Sequence, residues 1–333
     1  MDSGHIRQNI FTREWVVYAP RRGKRPHDIK VVPTTSSPAI AHDPNCPFCP
    51  GNEAELGGVI LAIPNETHWQ LRVVPNRFPA FSADVGLTRV KQNLYLSMPS
   101  HGHQEVVIES PKHNLHPAIS PLAAIETLID VYHQRYLALM AAHENMMVTI
   151  FRNHGPTAGA SLQHPHSQII ATAIVPRIRR YQEEQAQLYF DQQGTCLFCD
   201  VLNYESRGPR LVAENEYFLA FIPYAAEVPY ETWLMPKKHK ADFGDISSPE
   251  KKAFAQLLQQ ILAKLYFLLD NPDYNYSIHT APRYKAEEPQ LHWYCQIRPR
   301  LTTPAGFEVG SGLSINPSLP EENAAQLRSQ KTG

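Results

Sequence analysis

His164 and His166 flank a proline, and Gln168 follows two residues on, in the stretch Ser161-Leu162-Gln163-His164-Pro165-His166-Ser167-Gln168. A neutral imidazole carries a ring-nitrogen lone pair that can attack phosphorus. A carboxamide can hydrogen-bond a phosphate oxygen, and a second imidazole can be held by a metal. Residues spaced by two share one face of a strand, so His164, His166 and Gln168 read as a single chemical face.

The cysteines add a second chemistry. Four of the five fall in C-x-x-C pairs, Cys46/Cys49 and Cys196/Cys199, with Cys295 alone; the chain also has 16 histidines. Each pair is followed by two histidines at parallel positions. The sets are Cys46, Cys49, His113 and His164, then Cys196, Cys199, His239 and His292. Two thiolates from a tight turn and two imidazoles close a tetrahedron that suits Zn²⁺, so two zinc ions per chain are expected. Four protein ligands fill the shell, which makes both sites structural. A thioredoxin-like redox pair would need a helix N-terminus after its first cysteine, and Pro50-Gly51 opposes that at the first pair. The first ion would anchor His164 two residues from His166.

The elements that must position these groups are readable. The apolar run 169–175 reads as a buried strand, residues 146–151 as another, and 153–160 as a turn-rich loop between them. Residues 6–20, 71–75 and 104–109 also read as strands. Ser120-Pro121 resembles an N-cap with proline at the first helical position. Leu122, Ile125, Leu128, Ile129, Tyr132, Tyr136, Leu139 and Met140 then recur at helical spacing. Residues 176–191 read as a polar connecting helix ended by Gly194.

The second half repeats the first. Glu231 and His239 echo Glu105 and His113, Ser248-Pro249 echoes Ser120-Pro121, and the stretch 291–297 echoes the central motif. His164 then matches His292, His166 matches Tyr294 and Gln168 matches Gln296. The repeat offset is 126 at the Glu-His strand and 128 from the helix cap onward. The chain is expected to be an α+β protein built from a duplicated unit, antiparallel sheets with flanking helices, divided as 1–180 and 181–333. Only the first copy has the second histidine, so the chemistry is placed there.

At 333 residues the chain can bury one large core or two ordinary ones. A net charge of −1 implies no basic face for nucleic acid. No apolar run reaches membrane-spanning length and the first residues do not form a signal peptide, so a cytoplasmic protein is expected. The basic loop Arg21-Arg22-Gly23-Lys24-Arg25-Pro26 is either a solvated surface or a phosphate contact.

The His164-Pro165-His166-Ser167-Gln168 motif resembles the active-site motif of the histidine-triad superfamily, and nearly the whole chain resembles its galactose-1-phosphate uridylyltransferase branch. The resemblance implies a duplicated histidine-triad-like fold in which His166 attacks the α-phosphorus of a nucleotide sugar. It assigns His164, Cys46, Cys49 and His113 to zinc, and nucleotide and phosphate contacts to Arg22, Arg25, Asn76, Asn153, Gly159, Ser161 and Gln168. Gln168 and Ser161 would donate to phosphate oxygens beside the nucleophile. The second C-x-x-C site, Ser167, and the stretch containing Phe307 and Glu308 resemble the ADP-glucose phosphorylases of the same branch, which places Phe307 and Glu308 among the substrate contacts. The implied partners are a nucleotide sugar with a sugar 1-phosphate or inorganic phosphate, and a second copy of the chain as a homodimer. The expected activity is UDP-glucose–hexose-1-phosphate uridylyl transfer. The alternatives are an ADP-glucose phosphorylase, a zinc-containing nucleotide-binding protein without turnover, and a histidine-triad hydrolase.

Overall fold

A computed structural model describes residues 4–22 and 40–332. In chain order the elements are β1 (His5–Gln8), β2 (Trp15–Tyr18), β3 (Leu61–Ile63), β4 (Leu71–Pro75), β5 (Val90–Gln92), β6 (Tyr95–Ser97), β7 (Gly102–Ile108), α1 (Leu122–Met140), β8 (Met147–His154) and β9 (His166–Thr172). The second half contributes α2 (Arg177–Gln193), α3 (Leu197–Glu205), β10 (Leu211–Glu214), β11 (Phe218–Phe221), β12 (Thr232–Pro236), α4 (Ser248–Leu269), β13 (Tyr274–His279), β14 (Tyr294–Pro299), α5 (Gly306–Ser311), β15 (Ser314–Asn316) and α6 (Pro320–Ser329).

The α+β class and the antiparallel pairing agree with the sequence reading, but the two halves share one sheet. Ten strands run in the order β10-β11-β12-β14-β13-β8-β9-β7-β4-β3. Read outward from the central β13–β8 pair, each strand of one half has its counterpart in the other. That pair joins the halves by antiparallel register from Tyr274↔His154 to Ile278↔Ile150. The repeat is not perfect. Ile108 lies opposite His166, whereas Leu234 lies opposite Cys295 rather than Tyr294. A one-residue step of register moves side chains to the other face, so β12 and β14 present a different combination of residues from β7 and β9.

One face of the sheet carries α1 and α4. Ile125, Leu128, Ile129, Tyr132 and Tyr136 of α1 join Phe254, Leu258, Ile261 and Leu262 of α4 in one core with Val107, Ile150, Ile169 and Ala171. Most residues of the helical pattern are buried; Leu122, at the helix start, remains exposed. The expected cap is corrected: Ser120 Oγ donates to His116 O at 2.8 Å and α1 starts at Leu122, after Pro121. At α4 the flanking serine is Ser247, whose N–H donates to Glu250 Oε2 at 2.7 Å. The open carbonyls past α1 are taken by the Arg283 guanidinium from the second half, which donates to Met140 O and, at 2.7 Å, to Ala142 O.

The other face is covered only over the second half. There Phe11, Leu197, Phe198, Leu219, Phe221, Trp233, Met235 and Tyr294 form a core beneath α2 and α3. Residues from the start of the chain therefore pack on the second half. β2 pairs with β15 in parallel, and Arg7 and Arg210 both bond Glu321, at 2.9 and 2.8 Å. Over the first half this face carries a small cluster of Trp69, Val74, Val106 and Ile108 with Phe48 against it, and is left for the site.

A buried ion pair braces that region. Arg152 of β8 donates through Nε to both oxygens of Glu109 at 3.1 and 3.0 Å and through Nη1 to Tyr274 OH at 3.2 Å. Both charged side chains are almost fully enclosed, and Glu109 N–H bonds Pro165 O between the two histidines at 3.0 Å. Removing one partner of such a pair strands the other charge. Arg152→Met is expected to cost about 3–5 kcal/mol, and Arg152→Met with Glu109→Leu to recover most of it. Urea unfolding of the three proteins measures both.

Candidate active site

Cys46 and Cys49 lie on a tight turn closed by Cys49 N–H to Cys46 O at 3.1 Å and braced by Asn52 Nδ2, which donates to Pro44 O and Cys46 O at 2.9 and 2.8 Å. His113 follows β7, and His164 lies two residues before β9. His164 Nδ1 is 3.7 Å from Cys46 Sγ and 3.5 Å from Cys49 Sγ, and His113 Nδ1 is 3.5 Å from Cys49 Sγ. A tetrahedral ion with metal–sulfur bonds of about 2.3 Å and metal–nitrogen bonds of about 2.0 Å requires sulfur–nitrogen separations of about 3.5 Å. All four ligand atoms lie within 4.8 Å of one another, so the residues fit a metal ion. His164 Nε2–H donates to Ser110 O at 2.7 Å, which fixes the tautomer that leaves Nδ1 for the ion. Burial holds the His164 pKa down at about 4 and lowers that of His113, so both rings are neutral ligands near pH 7.

His166 opens β9 on the uncovered face. Its Nδ1–H donates to His164 O at 2.8 Å, leaving the lone pair on Nε2. Phe48, between the two cysteines, meets the His166 ring edge-on at 5.3 Å. Burial lowers the His166 pKa, which keeps the ring neutral at pH 7. Gln168 lies on the same face, while Ser167, Ile169 and Ala171 turn to the helix side and are fully buried. The Gln168 Oε1 accepts from Gln104 Nε2 at 3.0 Å and, at 3.5 Å, from Asn76 Nδ2. Asn153, at the end of β8, accepts from Asn275 Nδ2 at 2.8 Å. Gly159, with φ +83°, ends the 3₁₀ turn Pro156–Ala158, and Ser161 is exposed beyond it.

The remaining expected contacts are less closely tied. Arg22 is half-buried, with its main-chain N–H on Ala19 O, and Arg25 lies outside the described residues. Phe307 of α5 is exposed, and Glu308 Oε2 accepts from Ala305 N–H at 3.2 Å. Among the described residues no hydrogen bond or ring contact links either to the His166 group. Sequence reasoning missed Phe48, Gln104 and Asn275. Phe48 was visible inside the C-x-x-C pair, whereas the other two are recognised only once strand register is known.

The galactose-1-phosphate uridyl transferase N-terminal domain profile matches residues 1–176, and the C-terminal domain profile matches residues 182–327. The chain belongs to the galactose-1-phosphate uridyl transferase family. It is 33% identical to the ADP-glucose phosphorylase of Arabidopsis thaliana over 98% of this chain and 93% of that protein. It is 32% identical to the galactose-1-phosphate uridylyltransferase of Thermotoga maritima over 97% of each. The crystal structure of the Arabidopsis thaliana ADP-glucose phosphorylase with bound ADP-glucose matches with a TM-score of 0.84 at 30% identity, covering 99% of this chain and 100% of that one. A uridylyltransferase structure matches with a TM-score of 0.77 at 25% identity, covering 98% and 97%. The chain is accordingly a nucleotidyltransferase.

In this member of the uridyl transferase family the second half has lost the open face. Tyr294, in the place of His166, stacks on Trp233 at 4.2 Å and 13°. Gln296, in the place of Gln168, donates to Glu231 Oε1 at 2.7 Å and accepts from His279 Nε2 at 3.0 Å, so both ends of its amide are used. Arg179 of α2 reaches His279 and donates to Tyr294 OH at 3.3 Å. The remaining void there, about 40 Å³, has room for little more than a water.

The second Cys/His group also differs. Cys196, Cys199 and His239 lie within 4.8 Å of one another and could hold an ion, but His292 stays outside that set. Its Nδ1 bonds Trp293 O at 2.9 Å, and its buried Nε2 has no hydrogen-bond partner. The His239 and His292 rings still meet edge-on at 5.4 Å, close to the 5.2 Å of His113 and His164. Cys196 caps the N-terminus of α3, a helix start that the first pair lacks. The neighbouring Cys199 lowers the Cys196 pKa, and Cys199 Sγ lies 3.3 Å from His239 Nδ1. Cys49 touches both histidines of the first group, so Cys49→Ala should lower bound metal by one equivalent per chain and leave the second group's metal in place. Plasma mass spectrometry of both proteins reads this directly, and an unchanged content would show that the first group is not a metal site.

Proposed function

We propose that the protein transfers a uridylyl group from UDP-glucose to a hexose 1-phosphate such as galactose 1-phosphate, by a ping-pong route through a nucleotidyl-histidine on His166. The observation that carries this reading is the hydrogen bond from His166 Nδ1–H to His164 O. It leaves a neutral Nε2 lone pair on an open face lined by amide side chains.

In the first step the Nε2 lone pair bonds to the α-phosphorus while the bond from that phosphorus to the bridging oxygen breaks. Sugar 1-phosphate departs with the electron pair. In the second step a phosphate oxygen of the acceptor attacks the same phosphorus, the P–N bond breaks, and the lone pair returns to Nε2. A covalent intermediate divides one displacement into two. The imidazole becomes cationic in between, and the His164 carbonyl dipole on Nδ1–H stabilises that charge. Phosphoryl-type transfer depends on positioning and charge stabilisation, which Gln168, Asn153, Ser161 and Arg22 would supply. Arg25, Asn76, Gly159, Phe307 and Glu308 complete the proposed contacts.

The donor chemistry fits Zn²⁺ at both Cys/His groups. At the first, Cys46, Cys49, His113 and His164 would hold an ion that cross-links the turn to the motif. At the second, Cys196, Cys199 and His239 would hold one, with His292 as the fourth ligand. The proposal assigns the chemistry to residues 1–180 and a supporting role to residues 181–333. It also includes a homodimer and, on the five unpaired cysteines, a reducing cytoplasmic location. Among the described residues no helix is long and apolar enough to cross a membrane.

A second reading, ADP-glucose phosphorylase, is favoured by the Arabidopsis thaliana relative. The two separate by incubating the protein with UDP-glucose or ADP-glucose, each with galactose 1-phosphate or inorganic phosphate, and resolving products by anion exchange. UDP-galactose from the first donor and acceptor is the expected result; ADP from ADP-glucose and phosphate favours the second reading. Intact-mass measurement should detect a nucleotide adduct that His166→Ala abolishes together with turnover. Ordinary activity in that variant would remove His166 from its role.

A further inference from the structure

We infer that Gln104 and Asn275 are positioning residues that fix which end of the Gln168 and Asn153 amides faces the nucleophile. The inference rests on the nucleotidyl-transfer reading and adds to it two residues that touch neither donor nor acceptor.

An amide's orientation is decided by partners that can only donate or only accept. Gln104 Oε1 accepts from the main-chain N–H of Ala80 at 2.8 Å. Its Nε2 must then be the end that meets Gln168. Asn76 is fixed in the same way, because its Oδ1 accepts from Phe78 N–H at 2.8 Å. Two N–H groups therefore converge on Gln168 Oε1, at 3.0 and 3.5 Å. Gln168 Nε2 makes no hydrogen bond to another described residue and remains to donate.

The same logic holds on the other side of His166. Asn275 Nδ2 donates to Ala158 O at 2.8 Å, and Asn275 Oδ1 accepts from Arg300 Nε at 2.5 Å. A carbonyl can only accept and a guanidinium can only donate, so both ends of this amide are determined. The same Nδ2 donates to Asn153 Oδ1, which turns Asn153 Nδ2 outward. Phe151 lies opposite Gln168 across β8 and β9, so the register carried two residues further brings Asn153 level with His166 on the same face.

Four N–H bonds, two on each of two neutral amides, are thus uncommitted on the face that carries His166, and under the proposed reading they would serve the oxygens of an α-phosphate. An inverted amide would instead turn a carbonyl lone pair toward those oxygens. Asn275 comes from β13 of the second half, so the half without the nucleophile helps set the donors of the half that has it. In the second half Gln296 commits its Nε2 to Glu231 and its Oε1 to His279.

The test is a double-mutant cycle on the first half-reaction. The rate of adduct formation on His166 is followed by quenched intact-mass measurement with UDP-glucose or ADP-glucose as donor. Gln104→Glu is isosteric and still accepts from Ala80, but it replaces the donor facing Gln168 with an acceptor and inverts the Gln168 amide. It should slow adduct formation by roughly 100-fold. Gln104→Met, which removes the guide without forcing inversion, should cost less than about tenfold. In a Gln168→Met background Gln104→Glu should cost less than about threefold, because its effect passes through the missing amide. Asn275→Asp in the presence and absence of Asn153→Ala repeats the cycle, and carries the test if Gln104→Glu fails to fold by circular dichroism. Equal losses for Gln104→Glu and Gln104→Met, or an undiminished loss without Gln168, would overturn the assignment in favour of packing or direct charge repulsion. A wild-type protein that forms no adduct with either donor overturns the nucleotidyl-transfer reading itself, and does so before any variant is compared.

Discussion

His164 is held at three points, and the proposed chemistry depends on all three. Its Nδ1 faces the two sulfurs of the C-x-x-C turn, its Nε2–H is bound by Ser110 O, and its own carbonyl accepts from His166 Nδ1–H. The residue is fully buried. The first two contacts fix the ring and thereby the backbone on which the third depends. The third sets the tautomer of His166 and directs its lone pair out of the opposite side of the ring. Fixing a tautomer through a main-chain carbonyl adds no charged group beside His166. A carboxylate in that place would raise the imidazole pKa and work against the depression that burial imposes.

Much of this was legible in the sequence because the relevant patterns are local. A spacing of two put His166 and Gln168 on one face, and helical spacing identified the buried stripe of α1 from Ile125 to Leu139. The parallel C-x-x-C pairs exposed the duplication. Relations set by long-range register were not legible. That Gln104 meets Gln168 follows from Val106 lying opposite Gln168, and that Asn275 meets Asn153 follows from the pairing of β13 with β8. A duplicated sequence is equally compatible with two separate sheets or one shared sheet, since both satisfy the same alternation. That His292 lies outside the set of Cys196, Cys199 and His239 was hidden for another reason: its Nδ1 bonds the neighbouring Trp293 carbonyl, a contact that spacing does not reveal.

The two halves show how one scaffold separates reactivity from stability. Unpaired polar groups that are ready for a ligand lie at the open face of the first half. The equivalent surface of the second half is closed by α2, by Phe11 and by the stacked Trp233–Tyr294 pair. Leaving a buried donor without a partner costs about 1–3 kcal/mol, so amides can stay unspent only where solvent or ligand reaches them. Once the second face was covered, Gln296 had to find partners, and Glu231 and His279 supply them. The commitment of that amide therefore follows from its burial, beside a Tyr294 that stands where the first half has His166.

Ser167 lies between the reactive residues in sequence but not in space. Its hydroxyl accepts from Tyr132 OH at 2.7 Å, and Tyr132 in turn shares a 2.6 Å hydrogen bond with Tyr276. This buried chain links α1, β9 and β13 on the helix face, across the sheet from His166. Burial raises the pKa of both tyrosines well above the usual phenol range, so the chain stays neutral and its satisfaction depends on hydroxyl geometry alone. A glycine at 167 would remove the Tyr132 acceptor and ask the helix-face core to repack, with no atom added to or taken from the nucleophile's face. Ser167 is therefore a marker of how the two halves are joined. Discrimination between bases or acceptors has to come from residues that reach the open side of the sheet.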